Sequence, residues 1–175
     1  MNRHFIQLLM LFFLLVFFQE LIIDRLPLST YISPEIYLMF ILMLPFKYSV
    51  IKSMLWAFAL GLTIDLCSFG ALGLHTMPLV AVAYCRPQLL KIITATNNIE
   101  SVLIPSPRTL DFRPFVSYVS ISAFSYLTLL FCLDNFSFHN LPQLFLRILF
   151  SAVVTTLFIV VLQYAFIWIQ QNNKK

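Results

Sequence analysis

Apolar residues in this chain are gathered into six segments separated by short polar stretches. The segments run from about Phe5 to Ile23, Pro34 to Phe46, Ser49 to Ser68, Leu72 to Ile92, Phe115 to Leu133 and Leu144 to Ile169. A helix that crosses a bilayer needs about 20 residues, with about 17 as the lower end. Five segments meet that length and predict spanning helices. The second, bracketed by Pro34 and Pro45, falls short of it.

Charge placement bears on the short one. With six spans and the N-terminus inside, the cytoplasmic side receives Arg3, Lys47, Lys52, Lys91, Arg108, Arg113, Lys174 and Lys175. The outside keeps Arg25 and Arg147 and collects the acids Glu20, Asp24, Glu35, Asp65 and Asp134. Removing the second span puts the basic N-terminus opposite either the basic 93–113 loop or the basic C-terminus, against the positive-inside rule. The expected fold is therefore an all-α integral membrane protein, one bundle of six transmembrane helices over residues 1–175. Both ends face the cytoplasm, and local bilayer thinning or neighbouring helices accommodate the short span.

Composition agrees. The chain is 61% hydrophobic and 10% charged, with a mean hydropathy of +0.91, too little polar surface to cover a water-facing globule. Its formal charge of +4 comes from basic residues scattered between apolar runs, so nucleic acid is not an expected partner. The start, Met1-Asn2-Arg3-His4 and then Phe5–Phe18, has the shape of a signal peptide. Bulky and charged residues follow where small ones would mark cleavage, and it reads as an uncleaved first span. Cys67, Cys85 and Cys132 lack metal-site spacing and read as packing residues; a bridge between Cys67 and Cys132 stays open. A loop at 93–114 carries Pro105, Pro107 and Pro114, which argue against regular helix. In the outer loop 134–142, Phe136 and Phe138 suit the headgroup level.

Candidate chemistry concentrates on a few polar residues in apolar surroundings. Gly61, Asp65 and Ser68 stand at i, i+4 and i+7 and so share a helix face. An aspartate at membrane depth should face the bundle interior or a wet cavity. It reads either as a ligand, proton or partner site, or as a cap on the turn at Gly70–Gly73 or on the next helix. His75 and Pro78 fall in the first turns of the fourth helix, where proline is tolerated. Asp65, Ser68 and His75 do not make a hydrolase, because no nucleophile elbow or oxyanion-hole motif accompanies them. His4, His75 and His139 are too dispersed for a metal site, and no cofactor motif is present. Tyr84-Cys85-Arg86-Pro87 closes the fourth helix on the inner side. There Arg86 either snorkels beside Tyr84 or holds a lipid phosphate or a partner carboxylate. Arg147, a cation at the outer start of the last helix, suits pairing with Asp134, Asp65 or Glu35, or contact with headgroups. Ser151, Thr155 and Thr156 beyond it form a small-polar stripe suited to helix packing.

Leu44-Pro45-Phe46, Gly61-Leu62-Thr63-Ile64-Asp65-Leu66, Gly73-Leu74-His75 and Tyr84-Cys85-Arg86-Pro87, in this order, resemble the MreD family of rod-shape-determining membrane proteins in its Bacteroidota version. Arg108-Thr109-Leu110-Asp111-Phe112, Phe136-Ser137-Phe138 and Leu146-Arg147-Ile148-Leu149 extend the resemblance over almost the whole chain. Asp111 departs from it, standing where a small residue is expected. The resemblance implies a non-enzymatic inner-membrane scaffold of the cell-elongation machinery that supports peptidoglycan synthesis. Its implied partners are MreC and, through it, the RodA glycosyltransferase, the elongation-class penicillin-binding transpeptidase and MreB filaments. It also implies a fold similar to the substrate-binding subunits of energy-coupling-factor transporters, with Asp65 at the family's acidic position in the third helix. A small-molecule-binding transport subunit is the competing expectation.

Overall fold

The computed structural model describes residues 3–23, 32–68, 71–94, 105–107, 109–134 and 141–172. The loop positions 95–104 and 108, Gly70, and the outer loop with Phe136 and Phe138 lie outside the described residues. Those that are described are all-helical, with no strand among them. In chain order they form α1 (Arg3–Phe18), continued by a π-helical turn (Gln19–Ile23), α2 (Leu38–Leu42), α3 (Val50–Cys67), α4 (Thr76–Thr94), α5 (Phe112–Asp134) and α6 (Leu141–Asn172). Among the described residues, three stretches are long and apolar enough to cross a membrane: Val50–Cys67, Phe112–Asp134 and Pro142–Trp168. Helix α3 starts on an N-cap, with Ser49 Oγ accepting from the Lys52 amide at 3.4 Å.

The second segment departs most from expectation. It forms a helix of five residues, about 7.5 Å long at 1.5 Å per residue, which cannot cross a bilayer as a helix. It lies instead in the middle of the molecule, with every residue from Pro34 to Leu44 buried. Its direction follows from its contacts. The Tyr37 hydroxyl meets Tyr126 of α5 and His75 ahead of α4, while the Leu42 carbonyl meets Tyr118 of α5 and Arg86 of α4. The segment thus runs antiparallel to α5 and parallel to α4. Phe40 packs edge-on against Phe12 of α1 and Trp56 of α3, with ring centroids 5.6 Å away in both cases.

Removing Leu or Phe from lipid gains little, because lipid tails are equally apolar. The constraint on this segment is its backbone: irregular chain at membrane depth is tolerated where protein buries it and satisfies its polar groups. Side chains from the surrounding helices do this. Gln19 is 1% exposed; its Nε2 donates to the Pro34 carbonyl and its Oε1 accepts from the Ile36 amide, both at 3.0 Å. On α6, Ser151 Oγ accepts from the Ser33 amide at 3.0 Å and Thr155 Oγ1 from the Glu35 amide at 3.1 Å. The stripe read as helix packing therefore serves the backbone of residues 33–35, while Thr156 bonds back to the Ala152 carbonyl within its own helix.

Gln19 offers a direct test. Gln19→Leu strands one buried amide and one buried carbonyl, at a cost of about 2 kcal/mol. Gln19→Glu, when ionised, keeps the acceptor but loses the donor. Thermal unfolding in detergent micelles should rank wild type above both variants.

Two further details differ from the sequence reading. Tyr84–Pro87 does not close α4: the helix continues through Pro87 to Thr94, although proline removes the N–H that would reach the residue 83 carbonyl. The three cysteines are free, so Cys67 and Cys132 form no bridge. Asp111, directly ahead of α5, adopts φ 61°, the left-handed region that glycine enters most easily. This gives a backbone reason for expecting a small residue there.

Candidate functional site

Two polar clusters grip the buried segment, one near each of its ends. The first is built where α3 ends and α4 begins. Asp65, 1% exposed, sits on the last turn of α3 and points at the chain entering α4. Its Oδ2 accepts from the Gly73 amide at 2.9 Å and the Thr76 amide at 3.3 Å, and its Oδ1 from the His75 amide at 2.9 Å. The Thr76 hydroxyl donates to Oδ2 as well. A carboxylate here satisfies amides that have no partner inside the helix and meets the positive end of the α4 dipole. Gly73, at φ 97°, makes the turn that presents them.

Gly61 lies one turn before Asp65 and makes the joint close. A Cβ built on it would stand 2.4 Å from Thr76 Cα and 2.9 Å from Thr76 N. The two helices touch backbone to backbone at this point, and only glycine admits that contact.

His75 and the buried segment complete the cluster. His75 Nδ1 lies 2.7 Å from Tyr37 Oη and 3.3 Å from Tyr126 Oη, and the two phenols hydrogen-bond each other. Both tyrosines are fully buried, with rings edge to face and centroids 6.1 Å apart. Glu35, two residues ahead of Tyr37, is buried as well, at 7% exposure. Among the described residues no three His, Cys, Asp or Glu side chains gather as metal ligands.

The second cluster holds the other end of the segment. Arg86 is 3% exposed and turned inward. Its Nη2 donates to the Leu44 carbonyl and, at 3.5 Å, to that of Leu42, while Nε donates to Tyr118 Oη at 3.2 Å. Tyr118 donates in turn to the Leu42 carbonyl at 3.4 Å. These carbonyls close a helix too short to satisfy them. Arg86 thus neither snorkels nor waits for a phosphate; it is the C-terminal cap of α2, delivered from another helix.

A family model described as rod shape-determining protein MreD matches residues 1–165. The chain belongs to the MreD family. No curated protein and no solved structure matches it. MreD membership implies a role in rod-shape determination, and together with the three long apolar helices it makes this chain an integral membrane protein.

Within this MreD-family chain, Gly61, Asp65 and His75 come together. Ser68 does not: it is exposed, at the C-terminal cap of α3, with its amide on the Ile64 carbonyl. Arg86 belongs to the opposite cluster. Arg147, two turns into α6, lies 3.9 Å from Asp134, 3.4 Å from Ser33 Oγ and 4.3 Å above the Phe131 ring centre. Of the pairings open to it from sequence, the one with Asp134 is present. Gln19, Glu35, Tyr37, Thr76, Tyr118 and Tyr126 were not singled out as site residues from sequence. The partners that define them lie 11 or more residues away along the chain, so no local pattern marks them.

Arg86→Leu should lower stability by about 2 kcal/mol, since it leaves buried carbonyls with a single remaining donor. Arg86→Lys should recover part of the loss, because an ammonium supplies donors without the planar fork. Denaturation midpoints of the three proteins in micelles check the order.

Proposed function

We propose that this chain is a non-enzymatic scaffold of the bacterial cell-elongation complex, seated in the inner membrane with both termini cytoplasmic. In this reading its helix surfaces engage the membrane helix of MreC. Through MreC it supports RodA, the elongation-class transpeptidase and MreB, and so peptidoglycan synthesis along the cell wall. Family membership supports the shape role, and the asymmetry of basic residues supports the orientation. Six crossings follow if the buried segment counts as the second, passing through the bundle as a short helix with irregular ends.

The observation that favours a scaffold over a transport subunit is the filled interior. Nine consecutive residues, Ile36–Leu44, are buried in the middle of the molecule, the region where a substrate-binding bundle would hold its ligand. Partner contact then falls to the outer faces of α1 and α6, which carry exposed Phe13, Leu14, Phe17, Leu149, Val153 and Leu157.

Depletion followed by microscopy, paired with purification of the tagged chain, tests this reading. Rod-shaped cells should round up, and MreC should be retained. Normal shape combined with a nutrient requirement would favour transport, and a monodisperse protein that never retains MreC would sink the proposed contact.

A further inference from the structure

The lipid-facing surface of the bundle is taller on one side than on the other. Among the described residues, the exposed large apolar side chains of α6 run from Phe145 to Trp168, about 35 Å at 1.5 Å per residue. Those of α3 run from Ile51 through Leu55 and Phe58 to Leu66, only about 23 Å. Exposed Lys52 bounds the α3 face on the inner side and exposed Ser68 on the outer. Helix α4 sets the inner rim at the same height. It lies antiparallel to α3 and touches it at Gly61 and Thr76, so its exposed Gln88 stands level with Ser49, the N-cap of α3.

We propose that the α3–α4 face binds short or disordered lipid chains and thins the bilayer beside it, while the α6 face meets membrane of ordinary thickness. The hydrocarbon core is about 30 Å thick. A tilt of about 30° fits α6 to it, within the range that spanning helices show. Tilting α3 only shortens its projection further. A short apolar face is otherwise relieved by side chains that reach the interface, by association, or by thinning. Lys52 can reach outward from its helix end, but the neutral carboxamide of Gln88 carries no such charge to the interface. Association suits small residues that let backbones approach, whereas α3 turns Ile51, Leu55, Phe58 and Leu66 outward. Thinning remains, and lipid is the occupant these bulky side chains fit.

Brominated-lipid quenching of the full-length protein in vesicles tests this face by face. Leu55→Trp reports on α3 and Leu157→Trp on α6, both exposed positions. Each is placed singly in W56F/W168F, which removes the two native tryptophans. A brominated phosphatidylcholine competes with unbrominated ones whose chains range from about 14 to about 22 carbons. At the α3 reporter the shortest competitor should bind about threefold better than the longest, and at the α6 reporter no such preference should appear. Equal selectivity at the two faces would overturn the proposal, as would flat or long-chain selectivity at α3. If Leu55→Trp does not fold, Phe58→Trp on the same face replaces it. If W56F/W168F does not fold, each reporter is read as the added quenching over wild type.

Discussion

Gly61→Leu leaves no folded protein to purify. The reason is the Thr76 backbone, which a Cβ at position 61 would approach to 2.4 Å at Cα. A crowded side chain can change rotamer, but here the obstacle is the main chain of the first residue of α4. Relief requires α3 and α4 to separate, and separation pulls Asp65 away from the amides it caps. The cost lies beyond the roughly 1–3 kcal/mol of ordinary overpacking. Gly61→Ala meets the same atom and should also fail to reach wild-type stability, with leucine the worse of the two. Size-exclusion profiles after detergent extraction, and rescue of cell shape in a depletion strain, read the effect in two independent ways.

Asp65→Ala should cost about 4 kcal/mol. It removes the acceptor of three backbone amides and of the Thr76 hydroxyl at once. Hydrogen bonds to a charged group contribute about 1.5–3 kcal/mol each, and groups that share one acceptor do not add in full. Asp65→Asn is the sharper variant. Its carboxamide keeps one oxygen but turns an NH2 toward donors, so it should recover only part of the loss. A functional role beyond capping would show as lost shape rescue by an Asn variant whose thermal midpoint stays near wild type. Parallel loss of stability and rescue would mark Asp65 as structural.

The long helices were legible because about 20 apolar residues in a row have few alternatives in lipid. Helices α3, α5 and α6 are plain in the runs at 49–68, 115–133 and 144–169. The middle of the molecule was not legible in the same way. Pro34–Phe46 is as apolar as a span, and hydropathy alone does not distinguish a short crossing helix from a stretch folded into the interior. Its partners gave little away singly. Arg86 next to Tyr84 looks like an interfacial pair, and Ser151 with Thr155 looks like a packing stripe. Their roles appear only when the Leu44 carbonyl, 42 residues from Arg86, and the Ser33 amide, 118 residues from Ser151, are brought to them. Asp65 lay between these cases. A helix-end carboxylate followed by a glycine turn carries a capping signal in sequence, whereas the arrival of Tyr37 and Tyr126 at His75 is a property of the assembled bundle.

The dependence of the buried segment on α6 constrains the order of biogenesis. Ser33 and Glu35 leave the ribosome 118 and 120 residues before the hydroxyls that will receive their amides. Until then those groups cannot rest in hydrocarbon, where an unpaired backbone group costs several kcal/mol. The nascent chain must keep them at the water interface, or within the shelter of an insertase, until its last helix arrives. A chain truncated ahead of α6 would therefore be a substrate for membrane quality control even with its other helices inserted.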